Sequence, residues 1–370
     1  MKTAADLIRP SSLAAIAACA GRPAMEAAVV NTFGEPEDSA EASMGHKAHA
    51  WAAEGILHWR EGQEWGDAIA TACNEAAAAG LDKWTTWCIQ VCLEFARDLI
   101  TQHGIEREQV LVEHSLDMLG QGMERPGTAD LVLVIPFKRV VVVDWKFTFL
   151  DQGDADEHDQ LQAYGNAAAA TFKTAEVLVY LFQPRAEKSK RATAARFDAA
   201  ALAANAAWTR AVVARAKNPA AELTPGYHQC LYCRALTRCA AAKEWIMNVL
   251  ESVAALGAPM DPDAWGELAA AAKIAEKMGK DAKEQVKEHL MKGGAATGWG
   301  LGSGRAIRSC TSPAEALRRL DAAGMGDLAR ESLGLSVASL PTEAVQIIAD
   351  LVQEKPSAPS LKAIKSKAAA

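Results

Sequence analysis

The sequence predicts an α/β fold, a mixed β-sheet flanked by helices, followed by a mainly helical C-terminal region. Three observations lead there. Residues Val140–Val143 are four successive valines running into Asp144, Trp145 and Lys146, the pattern of a strand buried on both faces. Two β-rich stretches, Gln109–Met118 and Ala129–Ile135, precede it. A helical interval and another apolar strand, Ala175–Phe182, follow it, and helix, three strands, helix, strand is the order of an α/β core.

Each element has its own signal. Residues 1–105 read as helical, clearly over 84–100, where Trp84, Trp87, Cys88, Val91, Cys92 and Phe95 recur on a helical period. Between Gly45 and Arg60 the apolar residues Trp51, Ile56 and Trp59 recur unevenly. Residues 156–172 read as helix, and Ala194–Lys217 as an alanine-rich helix stopped by Pro219 and Pro225. A helical stretch then continues to about residue 256, and Gly257–Pro262, with two prolines, is the strongest linker signal. Beyond it come an amphipathic helix Trp265–Met291, a glycine-rich segment 293–304, helix over 313–351, and a Pro/Ser/Lys tail. The expected domains are therefore 1–256, with its core at about 105–185 and a cysteine cluster at 228–240, and 263–370.

Composition sets limits. The 370 residues suffice for two domains, and no run approaches the roughly 20 apolar residues of a membrane-spanning helix. A net charge of −7 gives no global basic field, but phosphate contacts need only a local patch. Lys2 and Arg9 ahead of Leu13–Cys19 superficially resemble an export signal. The apolar stretch is only about seven residues, and Asp6 sits where such signals carry positive charge, so a cytoplasmic location is expected. Eight cysteines with three in a Cys230-x2-Cys233-x5-Cys239 array suit metal or cluster binding better than a disulfide scaffold.

The chemistry concentrates on Asp130, in Gly127–Asp130, and on Asp144 and Lys146. Asp144 and Lys146 are two apart on one strand and share a face, while Asp130 stands on the neighbouring strand. Two carboxylates beside a lysine make a hard-oxygen site suited to Mg²⁺ or Mn²⁺. Such an ion polarises a phosphodiester and acidifies a bound water, and Lys146 would orient that water or stabilise charge on the phosphorane. An isolated Asp-x-Lys more often marks the solvated end of a strand. Here it is followed by Gln160 and Tyr164 at i and i+4 on a predicted helix, and preceded by Gly45–His49.

With these motifs in this order, the chain resembles the PD-(D/E)XK superfamily, in particular nuclease domains of bacterial recombination helicase–nucleases, CRISPR-associated iron–sulfur nucleases and phage exonucleases. The resemblance covers roughly residues 10–245. It implies a restriction-endonuclease-like core and a metal-dependent DNA exonuclease resecting DNA ends in phage recombination or repair. His49 matches the Gly-x-x-x-His histidine, Asp130 the Gly-x-x-Asp metal ligand, and Asp144 with Lys146 the Asp-x-Lys pair. Gln160 and Tyr164 match the Gln-x-x-x-Tyr motif that supports the site and contacts DNA, and Glu113 matches more loosely as a further carboxylate. His46 and His114 match nothing and read as surface or structural.

The same resemblance supplies a fourth partner for the cysteine array. In the iron–sulfur branch that ligand is an upstream cysteine, and Cys19 stands in its place, implying a 4Fe-4S cluster on Cys19, Cys230, Cys233 and Cys239. Zinc with His228 as fourth ligand is the alternative. Cys73, Cys88, Cys92 and Cys310 read as packing residues. A single-strand annealing protein is implied as partner, and a homo-oligomer stays open.

In the C-terminal third, Lys273, Lys277, Lys280, Lys283 and Lys287 share an arc of one helix, but glutamates border it and a solvated face is the expectation. The glycine-rich turn brings Trp299, Arg305 and Arg308 as candidates for single-stranded DNA. A catalytically idle, DNA-binding scaffold with the same cluster is the competing reading for the whole chain.

Overall fold

The computed structural model describes residues 1–35, 40–135, 139–148, 152–256, 261–302, 306–310, 312–325, 342–356 and 360–363. Two compact units emerge, 1–275 and 276–370. Their division falls inside the long helix rather than at 257–262, of which residues 257–260 lie outside the described residues.

The first unit opens with helices α1 (Leu13–Ala18), α2 (Arg22–Phe33), α3 (Ala40–Arg60), α4 (Trp65–Ala78) and α5 (Lys83–His103). The uneven apolar spacing near Gly45 therefore belongs to one continuous helix. Four of its buried residues, Ala48, Ala52, Ile56 and Trp59, lie three or four apart. Asp82 caps α5 by accepting from the backbone N–H of Trp84 and Thr85, and Gly104 ends it in the left-handed conformation.

The sheet follows as β1 (Val110–Leu116), β2 (Gly127–Ile135), β3 (Arg139–Trp145), then α6 (Asp159–Phe172), β4 (Val177–Phe182) and β5 (Ala192–Phe197). Strand order is β1-β2-β3-β4-β5. Only β3 and β4 run parallel, because α6 carries the chain back between them; the other pairs are antiparallel. This is a five-stranded mixed sheet flanked by helices.

One expectation is corrected here. Residues 194–197, read as the start of an alanine-rich helix, form the edge strand β5 on β4. Alanine favours helix locally, but Phe197 is buried in the core, and Asp198 caps the helix only afterwards. That helix is α7 (Ala199–Lys217), followed by α8 (Tyr227–Leu231), α9 (Ala240–Leu256) and α10 (Pro262–Met291).

Two apolar layers cover the sheet. On one face α1, α6 and α7 pack through Leu13, Ile16, Leu161, Ala168 and Val212 against Val132, Val140 and Val142. On the other, α3, α4 and α5 pack through Ile56, Ala72, Ile89 and Leu93 against Leu131, Val141, Val143 and Trp145. The alternation of neighbouring valines between the two clusters is the pleat of a strand buried on both sides.

In the second unit, parts of the glycine-rich segment and of the tail pair as strands. Strand β6 (Trp299–Gly302) pairs with β9 (Ser360–Ala363), and β7 (Ala306–Cys310) with β8 (Val352–Pro356), all antiparallel. Of the expected 313–351 helix the described residues form α11 (Pro313–Ala322), a turn at 323–324, α12 (Thr342–Ile347) and a 3-10 turn at Ala349–Leu351. Arg305 lies outside the described residues, as do 326–341 and 364–370. Along α10, Lys277, Lys280 and Lys287 pair with Asp281, Glu276 and Glu284, the pattern of a solvated face. No single helix among the described residues is long and apolar enough to cross a membrane. The pair Pro10–Ala18 and Arg22–Phe33 reaches that length only across a 113° bend.

Candidate metal centre and cysteine cavity

The sheet register places three carboxylates in a row. Val112 faces Leu131 and His114 faces Ala129, so Glu113 stands opposite Asp130. On the other side Leu131 faces Val143, and the next position sets Asp130 opposite Asp144. Glu113 has φ +46° in the middle of β1, a conformation costing a non-glycine residue about 1–3 kcal/mol.

Each carboxylate has its own surroundings. Asp130 is nearly buried and accepts at Oδ2 from the backbone N–H of Trp145, at 2.6 Å. Its Oδ1 lies 3.1 Å from His49 Nδ1, brought across from α3. The ring of His49 sits edge-on to Phe147, with centroids 5.0 Å apart. Ligand atoms of His49, Glu113 and Asp130 all lie within 4.8 Å of one another, the one trio of metal-type donors that close among the described residues.

Asp144 has a different role. It is 2% exposed, with Lys146 Nζ at 2.7 Å from Oδ2 and Gln160 Nε2 donating to Oδ1 at 2.9 Å. Lys146 Nζ also donates to Gln160 Oε1 at 2.8 Å. Gln160 Nε2 reaches the Tyr164 hydroxyl at 3.1 Å, and that hydroxyl donates to the Thr128 carbonyl at 2.7 Å. A continuous polar chain thus joins α6 to β2 and β3. All six residues expected from the motifs, with His49, converge at this end of the sheet, Glu113 completing the trio and Asp144 holding Lys146.

Charge in this small volume shifts the titrations. Burial pushes the Asp144 carboxyl up, opposed by the Lys146 ammonium and reinforced by Asp130. Burial, then Asp130, raises Glu113. Burial alone would lower His49, but the Asp130 carboxylate outweighs it and the net shift is upward. His158, just ahead of α6, is lowered to about 4 by burial and by Lys146. His158 belongs to none of the motifs and was not singled out from sequence. Gly127 has a packing reason: a Cβ there would come within 2.6 Å of both Tyr164 Cε1 and Met118 Cε.

The second cluster is built from chain segments far apart in sequence. Cys19, Cys230, Cys233 and Cys239 line one small cavity with Arg22, Met25 and Leu236. Gly21 lets the α1–α2 turn press against the 221–222 backbone, donating to the Glu222 carbonyl at 2.9 Å; a Cβ would sit 2.7 Å from Ala221 O. Arg22 then clamps the turn, its guanidinium donating to the carbonyls of Gln229 and Tyr232 at 3.2 and 2.8 Å and to Glu26 at 3.0 Å. Glu26 accepts in turn from the Arg234 backbone N–H.

Every one of the four sulfurs meets a backbone N–H. Thr224 and Arg22 face Cys19, Gly226 faces Cys230, Ala235 faces Cys233 and Ala242 faces Cys239. Burial nevertheless raises Cys19 and Cys230, and lifts the Cys233 thiol to about 12. No three of the sulfurs lie mutually within 4.8 Å, whereas a tetrahedral zinc with bonds of about 2.3 Å would hold its four far closer. His228 packs edge-on to Tyr227 and is not in the cavity lining. Cys88 and Cys92 are buried among apolar neighbours, as expected of packing residues.

Residues 9–368 match the model of a family described as "Protein of unknown function (DUF2800)". No curated protein matches the chain at a significant level.

Proposed function

We propose that this chain, which belongs to the DUF2800 family, is a metal-dependent deoxyribonuclease of PD-(D/E)XK type, acting as an exonuclease on DNA ends and carrying a 4Fe-4S cluster. One observation carries this reading: a row of three carboxylates across adjacent strands beside a lysine anchored by two of its neighbours. Mutually repelling acids at the end of a buried sheet are costly for a scaffold and useful around a cation.

The donors fit a divalent cation, since two carboxylates and one imidazole suit Mn²⁺ or Mg²⁺ with water completing the shell. Bound there, the ion would polarise a phosphodiester and acidify a ligated water. The protein's own residues supply the rest. Asp144 and Gln160 accept from Lys146, fixing the ammonium and leaving it a third proton for the nucleophile or a phosphate oxygen. Tyr164 and Thr128 hold Gln160 in turn. The cysteine cavity fits a cluster: Cys19, Cys230, Cys233 and Cys239 would hold it, their sulfurs already facing backbone N–H groups, and its role would be to join α1 to the 230–239 segment.

The test is digestion of end-labelled linear and closed circular DNA by anaerobically purified protein with Mg²⁺, Mn²⁺ or EDTA. Metal-dependent loss of linear DNA with circles spared is expected, and no cleavage of either by protein that still binds DNA would favour the idle scaffold. Iron content and visible absorbance, set against zinc content, test the cluster.

A further inference from the structure

Resting on the nuclease reading, we propose that the first turn of α5 and the 183–191 connection between β4 and β5 form the seat of a single-stranded DNA end, with an unpaired base stacked on Trp84.

Trp84 is 61% exposed, yet its ring is oriented. Its backbone N–H is tied to Asp82, and its ring stands edge-on to Trp87, centroids 5.9 Å apart at 87°. The Trp87 ring is in turn covered by the Arg191 guanidinium at 4.9 Å. An exposed indole held by a second aromatic and a cation is a platform for a π-face.

Charge around it favours a polyanion. The 183–191 connection carries Arg185, Lys188, Lys190 and Arg191 against one acid, Glu187, in a chain of net charge −7. Lys83, Lys188 and Lys190 are exposed and make no ion pair among the described residues. Asp82 is engaged by the backbone of Trp84 and Thr85 and by the Thr85 hydroxyl.

The patch is continuous with the catalytic row. Arg185 donates to the carbonyl of Phe147, the residue after Lys146, at 3.0 Å, and reaches the Thr85 hydroxyl at 3.4 Å. Lys146 itself donates its backbone N–H to Phe182, at the start of the same connection. A duplex keeps its base faces stacked on one another, so an open indole beside cations selects a single strand.

The test uses full-length protein in EDTA, where cleavage is silent, with a labelled oligothymidylate and a blunt duplex of equal length. Trp84→Ala is expected to weaken oligothymidylate binding about tenfold and duplex binding less than twofold, with Trp84→Phe largely restoring it. Lys188→Glu with Lys190→Glu should lower the salt dependence of single-strand binding by roughly 1.4 in log–log slope. Unchanged affinity in Trp84→Ala, or wild type that ignores the single strand, would overturn the proposal. Wild type that binds the strand through Trp84 but never cleaves would instead sink the nuclease reading and leave this surface standing.

Discussion

The hydroxyl of Tyr164 donates to the backbone carbonyl of Thr128 at 2.7 Å, two residues before Asp130 on the same strand. Through Gln160, that contact ties the position of Lys146, the residue after β3, to the backbone of β2. Removing only the hydroxyl, by Tyr164→Phe, should cost about 1–2 kcal/mol of stability and roughly tenfold in turnover, with DNA affinity kept. Thermal melts and single-turnover digestion read the two effects separately.

Lys146→Ala leaves a carboxylate 2% exposed without its cation. Cleavage is expected to fall by at least about a hundredfold, with DNA binding in EDTA retained. Lys146→Arg should restore much of the stability but little turnover, since a planar fork cannot repeat the contacts of an ammonium with both Asp144 and Gln160.

Gly127→Ala is expected to destabilise by about 1–3 kcal/mol, because the new methyl meets the Tyr164 ring and the Met118 methyl at 2.6 Å. Its loss of turnover should exceed that of Tyr164→Phe, since it displaces the ring as well as its hydroxyl. Equal stability of wild type and variant in a urea melt would refute the close packing.

The acid limb of stability should contain a histidine. His158 titrates at 6.5 unfolded and at about 4 folded, so the unfolded chain takes up its proton first as pH falls. Its share of stability is intact above pH 6.5 and is lost between there and about 4, reaching up to about 3 kcal/mol. His158→Asn should flatten that part of a plot of melting temperature against pH.

Arg22→Ala removes the clamp on the Gln229 and Tyr232 carbonyls. Iron incorporated per chain should drop several-fold while Cys88→Ala leaves it unchanged, which metal analysis of anaerobic preparations measures. Equal iron in Arg22→Ala would show that the thiols hold their arrangement without the turn.

The acidic row was legible where local pattern determines geometry. Four valines announced β3, and its two-residue repeat set Asp144 and Lys146 on one face. The i, i+4 spacing likewise put Gln160 and Tyr164 together. What pattern could not give was decided elsewhere. Residues 192–197 are alanine-rich and became strand because β4 had an edge to pair. Glu113 enters the metal trio through a left-handed backbone that its residue type does not announce. His158, Arg22 and Glu26 act through tertiary contacts, and only a resemblance, not any periodicity, singled out Cys19.

The four thiols also impose an order on synthesis. Cys19 precedes every strand of the five-stranded sheet along the chain, while Cys230, Cys233 and Cys239 emerge only after the last of those strands has been made. A nascent chain interrupted before residue 230 has one of the four cavity sulfurs and lacks the segment that closes the cavity. On the cluster reading proposed above, cofactor loading would act as a completion signal: only a chain translated past 239, with its sheet available to carry both ends, has all four cavity thiols. Truncated products would emerge colourless.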